Sequence, residues 1–240
     1  MKRNDNMIKV LLWDIDGTLL NFKKAEETSI KKLFLLLNLG ICSDEMLAIY
    51  SQINEKYWKM IEKGTMSKEE ILVNRFVEFF TKYHLDVNKA KEFNDCYQIE
   101  LGNHVFFNDD AFSIVKKLKK DFIQYAVTNG TEIAQRKKIK NSCLDQVLNG
   151  FFISDVIGFE KPSKNFFLPV FAEINKIDSS IRKDEIMIIG DSLTSDIKGG
   201  NNVGIKCCWY NKEKNKNNSD CQIDYEIKNL QELLAILNRN

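Results

Sequence analysis

The chain has 240 residues, 44% of them hydrophobic and 29% charged, and 35 Lys and Arg against 34 Asp and Glu leave a formal net charge of +1. That length exceeds the usual single domain and suits a core domain with a smaller companion, and the apolar share is enough to pack a core. A balanced charge supplies no general attraction for a nucleic-acid polymer or an acidic membrane surface. No apolar run approaches the roughly 20 residues needed to cross a bilayer.

The first residues are polar, and the short apolar run behind them ends at Trp13-Asp14-Ile15-Asp16, unlike a secretory signal. The expectation is a cytoplasmic protein with no membrane partner. The six cysteines form no C-x-x-C pair, and neither His84 nor His104 is spaced to complete a zinc site. They read as reduced thiols, some of them small core residues.

In chain order, Ile8–Asp14 is a nearly continuous apolar run that opens into Asp16-Gly17-Thr18, the pattern of a buried strand ending in a loop. The same pattern recurs at Phe122–Thr128, Gly150–Ser154, Ile186–Ile189 and Ile205–Tyr210. Helical spacing lies between, at Asp110–Lys120, Thr131–Cys143, Lys164–Ile174, Ser192–Val203 and Leu230–Leu237. Strands alternating with helices predict an α/β fold, a doubly wound, Rossmann-like parallel sheet covered on both faces. From Asn21 to Asn103 the alternation stops. Helical periodicity runs over Ala25–Leu37, Ser43–Glu62, Ser67–His84 and Asn88–Leu101, punctuated by Gly40, Gly64 and Gly102. The predicted organisation is an α/β catalytic core of residues 1–20 and 104–240, with a helical cap of residues 21–103 inserted after the first strand.

In an open parallel sheet, ligands bind at the carboxyl ends of the strands. Those ends collect Asp14 and Asp16, Thr128, Lys161 in a following loop, and Asp191 with Asp196. Such a carboxylate cluster repels itself until a divalent cation joins it, and hard oxygen ligands suit Mg²⁺. Lys161 offers a point charge and Thr128 a hydroxyl to phosphoryl oxygens. Asp14 can attack phosphorus, and Asp16, two residues on, can serve as general acid and then general base.

Asp14-Ile15-Asp16-Gly17-Thr18-Leu19 resembles the first motif of the haloacid dehalogenase (HAD) superfamily. Val127-Thr128-Asn129-Gly130, Gly158-Phe159-Glu160-Lys161-Pro162 and Gly190-Asp191-Ser192-Leu193-Thr194-Ser195-Asp196 resemble the second, third and fourth, in the family's order. A helical cap after the first motif is also a family trait, so the resemblance covers nearly the whole chain. It implies a nucleophile at Asp14, an acid/base at Asp16, and phosphate contacts from Thr128 and Lys161. It also implies Mg²⁺ held by Asp14, the main-chain carbonyl of Asp16, and Asp191, with Asp196 and Ser192 supporting from behind. Members acting on halides or phosphonates lack an Asp at position 16, so Asp16 favours phosphoryl transfer from an oxygen ester.

Asn54-Glu55-Lys56-Tyr57-Trp58-Lys59, Glu62-Lys63-Gly64, Arg75-Phe76 and Cys208-Trp209-Tyr210-Asn211 are similar to segments of bacterial pyrimidine nucleotide 5′-nucleotidases. That similarity points to a nucleoside 5′-monophosphate as the small phosphorylated partner. Asn129, Gly130, Phe22 and Trp58 are the candidate substrate contacts, although aromatics at helical spacing are more often core. Phosphoglycolate or sugar-phosphate phosphatases and phosphomutases share every core motif, and a non-catalytic binding protein is the reading from another class. The oligomeric expectation is a monomer or homodimer.

Overall fold

The structure, a computed structural model, describes residues 7–62 and 65–237. Lys63 and Gly64, quoted above, lie outside the described residues. In chain order the elements are β1 (Val10–Trp13), α1 (Phe22–Leu36), α2 (Asp44–Glu62), α3 (Lys68–Lys82), α4 (Ala90–Asn103), α5 (Ala111–Leu118), β2 (Ile123–Thr128) and α6 (Glu132–Asn141). They continue with β3 (Gly150–Ile153), α7 (Ser154–Ile157), α8 (Lys164–Ile177), β4 (Ile186–Gly190), a π-helical turn (Leu193–Ile197), α9 (Lys198–Val203), β5 (Lys206–Tyr210), β6 (Tyr225–Ile227) and α10 (Glu232–Leu237). Two compact units result: one of residues up to Asn21, Phe107–Glu132 and Ser142 onward, the other of Phe22–Phe106 and Ile133–Asn141.

The first unit is a Rossmann-like α/β fold. Its six strands run in the order β3-β2-β1-β4-β5-β6, every neighbouring pair parallel. All four residues of β1 are buried, as a strand covered on both faces requires. Phe166, Phe167, Val170 and Ile174 of α8 pack in one cluster with Val10, Leu12, Ile186 and Ile188. Register positions the site: Trp13 stands opposite Ala126 of β2 and Ile189 of β4. The residues that follow on all three strands therefore leave the sheet at one level. Two elements have no counterpart in the sequence reading: the three-residue β6, too short to show a period, and the single turn α7. The helix read over Ser192–Val203 is instead the π turn followed by α9.

The second unit is helical, built from α1 to α4 with most of α6. Phe34, Tyr50, Phe76, Phe79, Phe80, Phe93 and Tyr97 form its buried interior, with Tyr50 stacked on Phe76 at 5.0 Å between ring centroids. Helix α3 starts with a reciprocal Ser67–Glu70 cap. The sequence reading places α6 in the core. Its residues Ile133–Asn141 instead group with the helices, because Ala134 joins the aromatic cluster and Asn141 Nδ2 donates to Gly102 O at 2.9 Å.

Asn54 and Arg75, quoted above for their similarity to nucleotidase segments, are interior residues of this unit. Asn54 donates to Glu26 Oε1 at 2.9 Å and accepts from Arg75 Nη1 at 2.6 Å, while Arg75 Nη2 donates to Asn94 at 3.3 Å. Tyr97 Oη also donates to Glu26, at 3.3 Å. Burial pushes the Glu26 carboxyl up to about 7, with the Arg75 charge opposing it. A raised folded-state pKa means that the folded protein holds its proton longer than the unfolded chain. The stability this proton confers is complete below about 4.5 and is lost as pH rises through about 7. Glu26→Gln keeps the acceptor and removes the titration. It is expected to flatten the pH dependence and to stabilise the protein at pH 8 by up to about 3 kcal/mol. Urea unfolding of both proteins at pH 5 and pH 8 checks this; parallel pH slopes would refute it.

Candidate active site

The loop after β1 carries the first carboxylates. Asp14 is 6% exposed, and its backbone N–H donates to Ile189 O at 2.9 Å, which ties it to the end of β4. Asp16 is partly buried and begins a tight turn in which Gly17 N donates to Leu20 O at 2.9 Å and Leu20 N to Ile15 O at 2.8 Å. Gly17 has φ of 98°, and a Cβ there would lie 2.4 Å from the Asp191 carboxylate, so neither conformation nor space admits a larger residue. Thr18 Oγ1 donates to Asp191 Oδ1 at 3.2 Å.

Lys161 sits at the centre. It is 1% exposed, and its ammonium donates to Asp14 Oδ1 at 2.8 Å, Asp196 Oδ1 at 2.7 Å and Val127 O at 2.7 Å. Those are the three N–H directions an ammonium possesses. The sequence reading gives Lys161 to the phosphate; here its three donors meet protein acceptors, and the ammonium joins Asp14 to Asp196. Asn129, read as a substrate contact, is likewise occupied. Its Nδ2 donates to Lys161 O at 2.8 Å and its Oδ1 accepts from Lys161 N at 2.8 Å, an amide pair that fixes the lysine's backbone. Thr128 Oγ1 accepts from Gly130 N at 3.2 Å, and a hydroxyl that accepts still has its own proton to donate.

The fourth segment completes the set. Asp196 Oδ2 accepts from Ser192 N at 3.1 Å, and Ser192 Oγ accepts from Ser195 N at 3.2 Å to start the π turn. A Cβ on Gly190 would fall 2.3 Å from the Asp196 carboxyl, so the close packing of strand end and turn depends on glycine there. Within the turn Ile197 N reaches back five residues to Ser192 O at 3.1 Å. Trp209 Nε1 donates to Asp191 O at 2.9 Å, a support from the end of β5 to which the sequence reading assigns no role.

Asp14, Asp191 and Asp196 each bring a carboxylate oxygen within 4.8 Å of the others. One buried ammonium thus faces three carboxylates. Burial holds Asp14 well above the ordinary carboxylate range; Lys161 opposes that, and Asp196 and Asp191 add to it. Part of Asp191 stays open to solvent, yet its carboxyl is enclosed by Gly17 and Thr18. That enclosure, then the Asp196 charge, pushes it up to about 7. Burial alone would lower Lys161, but Asp14 and Asp196 outweigh it and hold the ammonium above the ordinary lysine value. Asp14 Oδ2 is buried without a hydrogen-bond partner among the described residues. An excess of negative charge around an unpartnered carboxylate oxygen, with Asp191 beside it, is a donor set that fits a small divalent cation.

Residues 11–210 match the family described as haloacid dehalogenase-like hydrolase. The chain belongs to that family. It is a hydrolase, and relatives match it nearly end to end. YfnB of Bacillus subtilis, named as a HAD-hydrolase, is 35% identical over 232 residues, 96% of this chain and 95% of its own length. PynA of Streptococcus pneumoniae, named as a pyrimidine 5′-nucleotidase, is 33% identical over 235 residues, 97% and 96% of the two chains. The crystal structure of YfnB bound to magnesium matches this fold with a TM-score of 0.87 at 32% identity, covering 97% of this chain and 99% of that one.

Phe22 and Trp58 belong to the helical unit. Both are partly exposed, Phe22 with Lys138 Nζ 5.2 Å from its ring centroid and Trp58 with Lys68 Nζ at 5.8 Å. No helix among the described residues is long and apolar enough to cross a membrane.

Proposed function

We propose that this hydrolase is a Mg²⁺-dependent phosphatase that works through an aspartyl phosphate on Asp14, with nucleoside 5′-monophosphates as its substrates. The observation that carries the chemistry is the ammonium of Lys161 beside a cluster of three carboxylates, with one Asp14 oxygen unpartnered among the described residues. Asp14 Oδ2 and Asp191 are the oxygens available to hold the cation, since both Asp196 oxygens already accept hydrogen bonds. The main-chain carbonyl of Asp16 is the further ligand that the family resemblance implies. The bound cation supplies charge neutralisation and draws electron density from the phosphoryl oxygens.

In the first step an Asp14 carboxylate oxygen forms a bond to phosphorus and the ester P–O bond breaks. Asp16 gives its proton to the departing oxygen. In the second step Asp16 takes a proton from water, the water oxygen bonds to phosphorus, and the P–O bond to Asp14 breaks to restore the carboxylate and release inorganic phosphate. Lys161 keeps Asp14 oriented and charged, Asn129 fixes Lys161, and Thr128 donates to the phosphoryl group. Ser192 and Asp196 hold the turn that presents Asp191.

The likeness to PynA over 97% of this chain supports the nucleotide reading. We assign the choice of organic group to the helical unit as a cap, with Trp58 and Phe22 as the residues to vary first. The test is phosphate release from UMP, dUMP, dTMP, purine monophosphates, phosphoglycolate and hexose phosphates, with Mg²⁺ and with EDTA. We expect kcat/KM for pyrimidine monophosphates to exceed the others by at least about 10-fold, and EDTA to reduce all of them to background. A preference for glycolate or sugar phosphates overturns the substrate class, and activity that survives EDTA overturns the cation.

A further inference from the structure

The turn that carries Asp16 has three successive carbonyls, of Gly17, Thr18 and Leu19, and all three accept from one residue. Asn108 Nδ2 donates to Gly17 O at 2.9 Å and to Thr18 O at 3.1 Å, and Asn108 N donates to Leu19 O at 3.0 Å. Asn108 is 5% exposed and stands 91 residues from Gly17 in the chain. It is itself held: Lys212 Nζ donates to its Oδ1 at 3.4 Å. The next residue, Asp109, takes a left-handed φ of 44°, uncommon for a residue with a Cβ. Asp109 Oδ2 accepts from Tyr210 Oη at 2.9 Å and from Leu230 N at 3.0 Å, and Lys212 Nζ lies 3.5 Å from its Oδ1. A chain held out of its relaxed conformation at a point tied to three other segments is the mark of a rigid bracket.

We infer that Asn108 is a positioning residue for the acid/base turn, fixing Asp16 through Gly17 and Asp191 through Thr18. The inference rests on the assignment of Asp16 as proton donor. The geometry gives the physical reason. Gly17 follows Asp16 directly, and Thr18 passes the constraint to Asp191 through its hydroxyl. Without the Asn108 amide the turn keeps its internal bonds but loses its fixed orientation, and a general acid displaced by a fraction of an ångström protonates its leaving group poorly.

Leaving-group dependence separates positioning from general support. An alkoxide leaving from a nucleotide needs the proton of Asp16, whereas p-nitrophenolate leaves without one. Asn108→Ala should lower kcat/KM for the best alkyl phosphate of the substrate panel by about 30- to 100-fold, and for p-nitrophenyl phosphate by less than about 5-fold. Asn108→Ser, which retains one donor, should fall between wild type and Asn108→Ala, and it decides the matter if the alanine variant does not fold. Asn201 bridges Gln222 at the other end of this unit, donating to its carbonyl at 2.9 Å and accepting from its N–H at 2.7 Å. Asn201→Ala is the matched control and should affect both substrates alike. Equal losses on the two substrates, or no loss, in the Asn108 variants overturn the inference and leave the phosphatase reading standing. Asp16→Ala is the reference: if it shows no such selectivity, the acid assignment fails and takes the inference with it.

Discussion

Asp14→Asn is expected to lower phosphate release by at least about 10⁴-fold, because an amide oxygen does not replace a carboxylate as a nucleophile at phosphorus. The same change should make the metal-free protein more stable. Asn keeps an acceptor for Lys161, and Lys161 keeps Asp196 at 2.7 Å, so no charge is left unpaired. What disappears is one of three carboxylates competing for one ammonium. The sign follows from the direction of the Asp14 shift. Its folded-state pKa is raised, so the stability it confers belongs to low pH and is lost as pH climbs past the ordinary carboxylate value. At pH 8 wild type carries that loss and Asp14→Asn does not. Thermal unfolding in EDTA should show a higher Tm for the variant, with the gap narrowing towards pH 4. Retained turnover would remove Asp14 from the nucleophile's role, and a lower Tm at pH 8 would contradict the account of carboxylate crowding.

Lys161→Met is expected to destabilise the protein strongly. The methionine fills the space, but Asp14 and Asp196 lose their shared cation and Val127 O loses its donor. Removing one partner of a buried ion pair costs about 3–5 kcal/mol, far more than an exposed pair is worth. For a chain of this length that is a Tm lower by about 10 °C. The loss should shrink at low pH, where protonated carboxylates no longer need the ammonium, and should be offset in part by added Mg²⁺, which binds the folded carboxylate cluster. Turnover should fall with it, because Asp14 is no longer oriented. Melting curves at pH 5 and pH 8, with and without Mg²⁺, check the prediction. An unchanged Tm would mean that the three bonds to Lys161 contribute little, and the electrostatic account of the site would have to be withdrawn.

The asymmetry between these two substitutions explains what was readable beforehand. Asp14 and Asp191 are visible in the sequence because each closes an apolar run that opens into a loop, and Lys161 is visible through the motif it shares with the family. Strands β1 to β5 are visible as the apolar runs themselves. The partners of these groups are not. Asn129 reads as a substrate contact through the motif it sits in, yet its amide is matched to the main chain of a loop 32 residues away. Arg75 is noticed in the sequence only as part of a segment similar to nucleotidases, and the packing of α1, α2 and α4 shows it enclosed, its guanidinium 5.2 Å from the Tyr97 ring. Asn108 lies in a stretch with no motif, and nothing in hydrophobic periodicity reports a bond spanning 91 positions. Short-range pattern carries the strands and their polar ends, while the hydrogen bonds that aim those ends are long-range and invisible to it.

The π turn between Ser192 and Ile197 has a consequence for changes in chain length. An α-helical turn closes over four residues and this one closes over five, so the segment holds one residue more than a regular helix start would need. Deleting a single residue from it can leave a well-formed helix joining β4 to α9. The residues on one side of the deletion then rotate by about 100° relative to the other. Asp196 would leave Lys161 even though every neighbouring side chain remained present. In this segment spacing, and not composition alone, specifies the site.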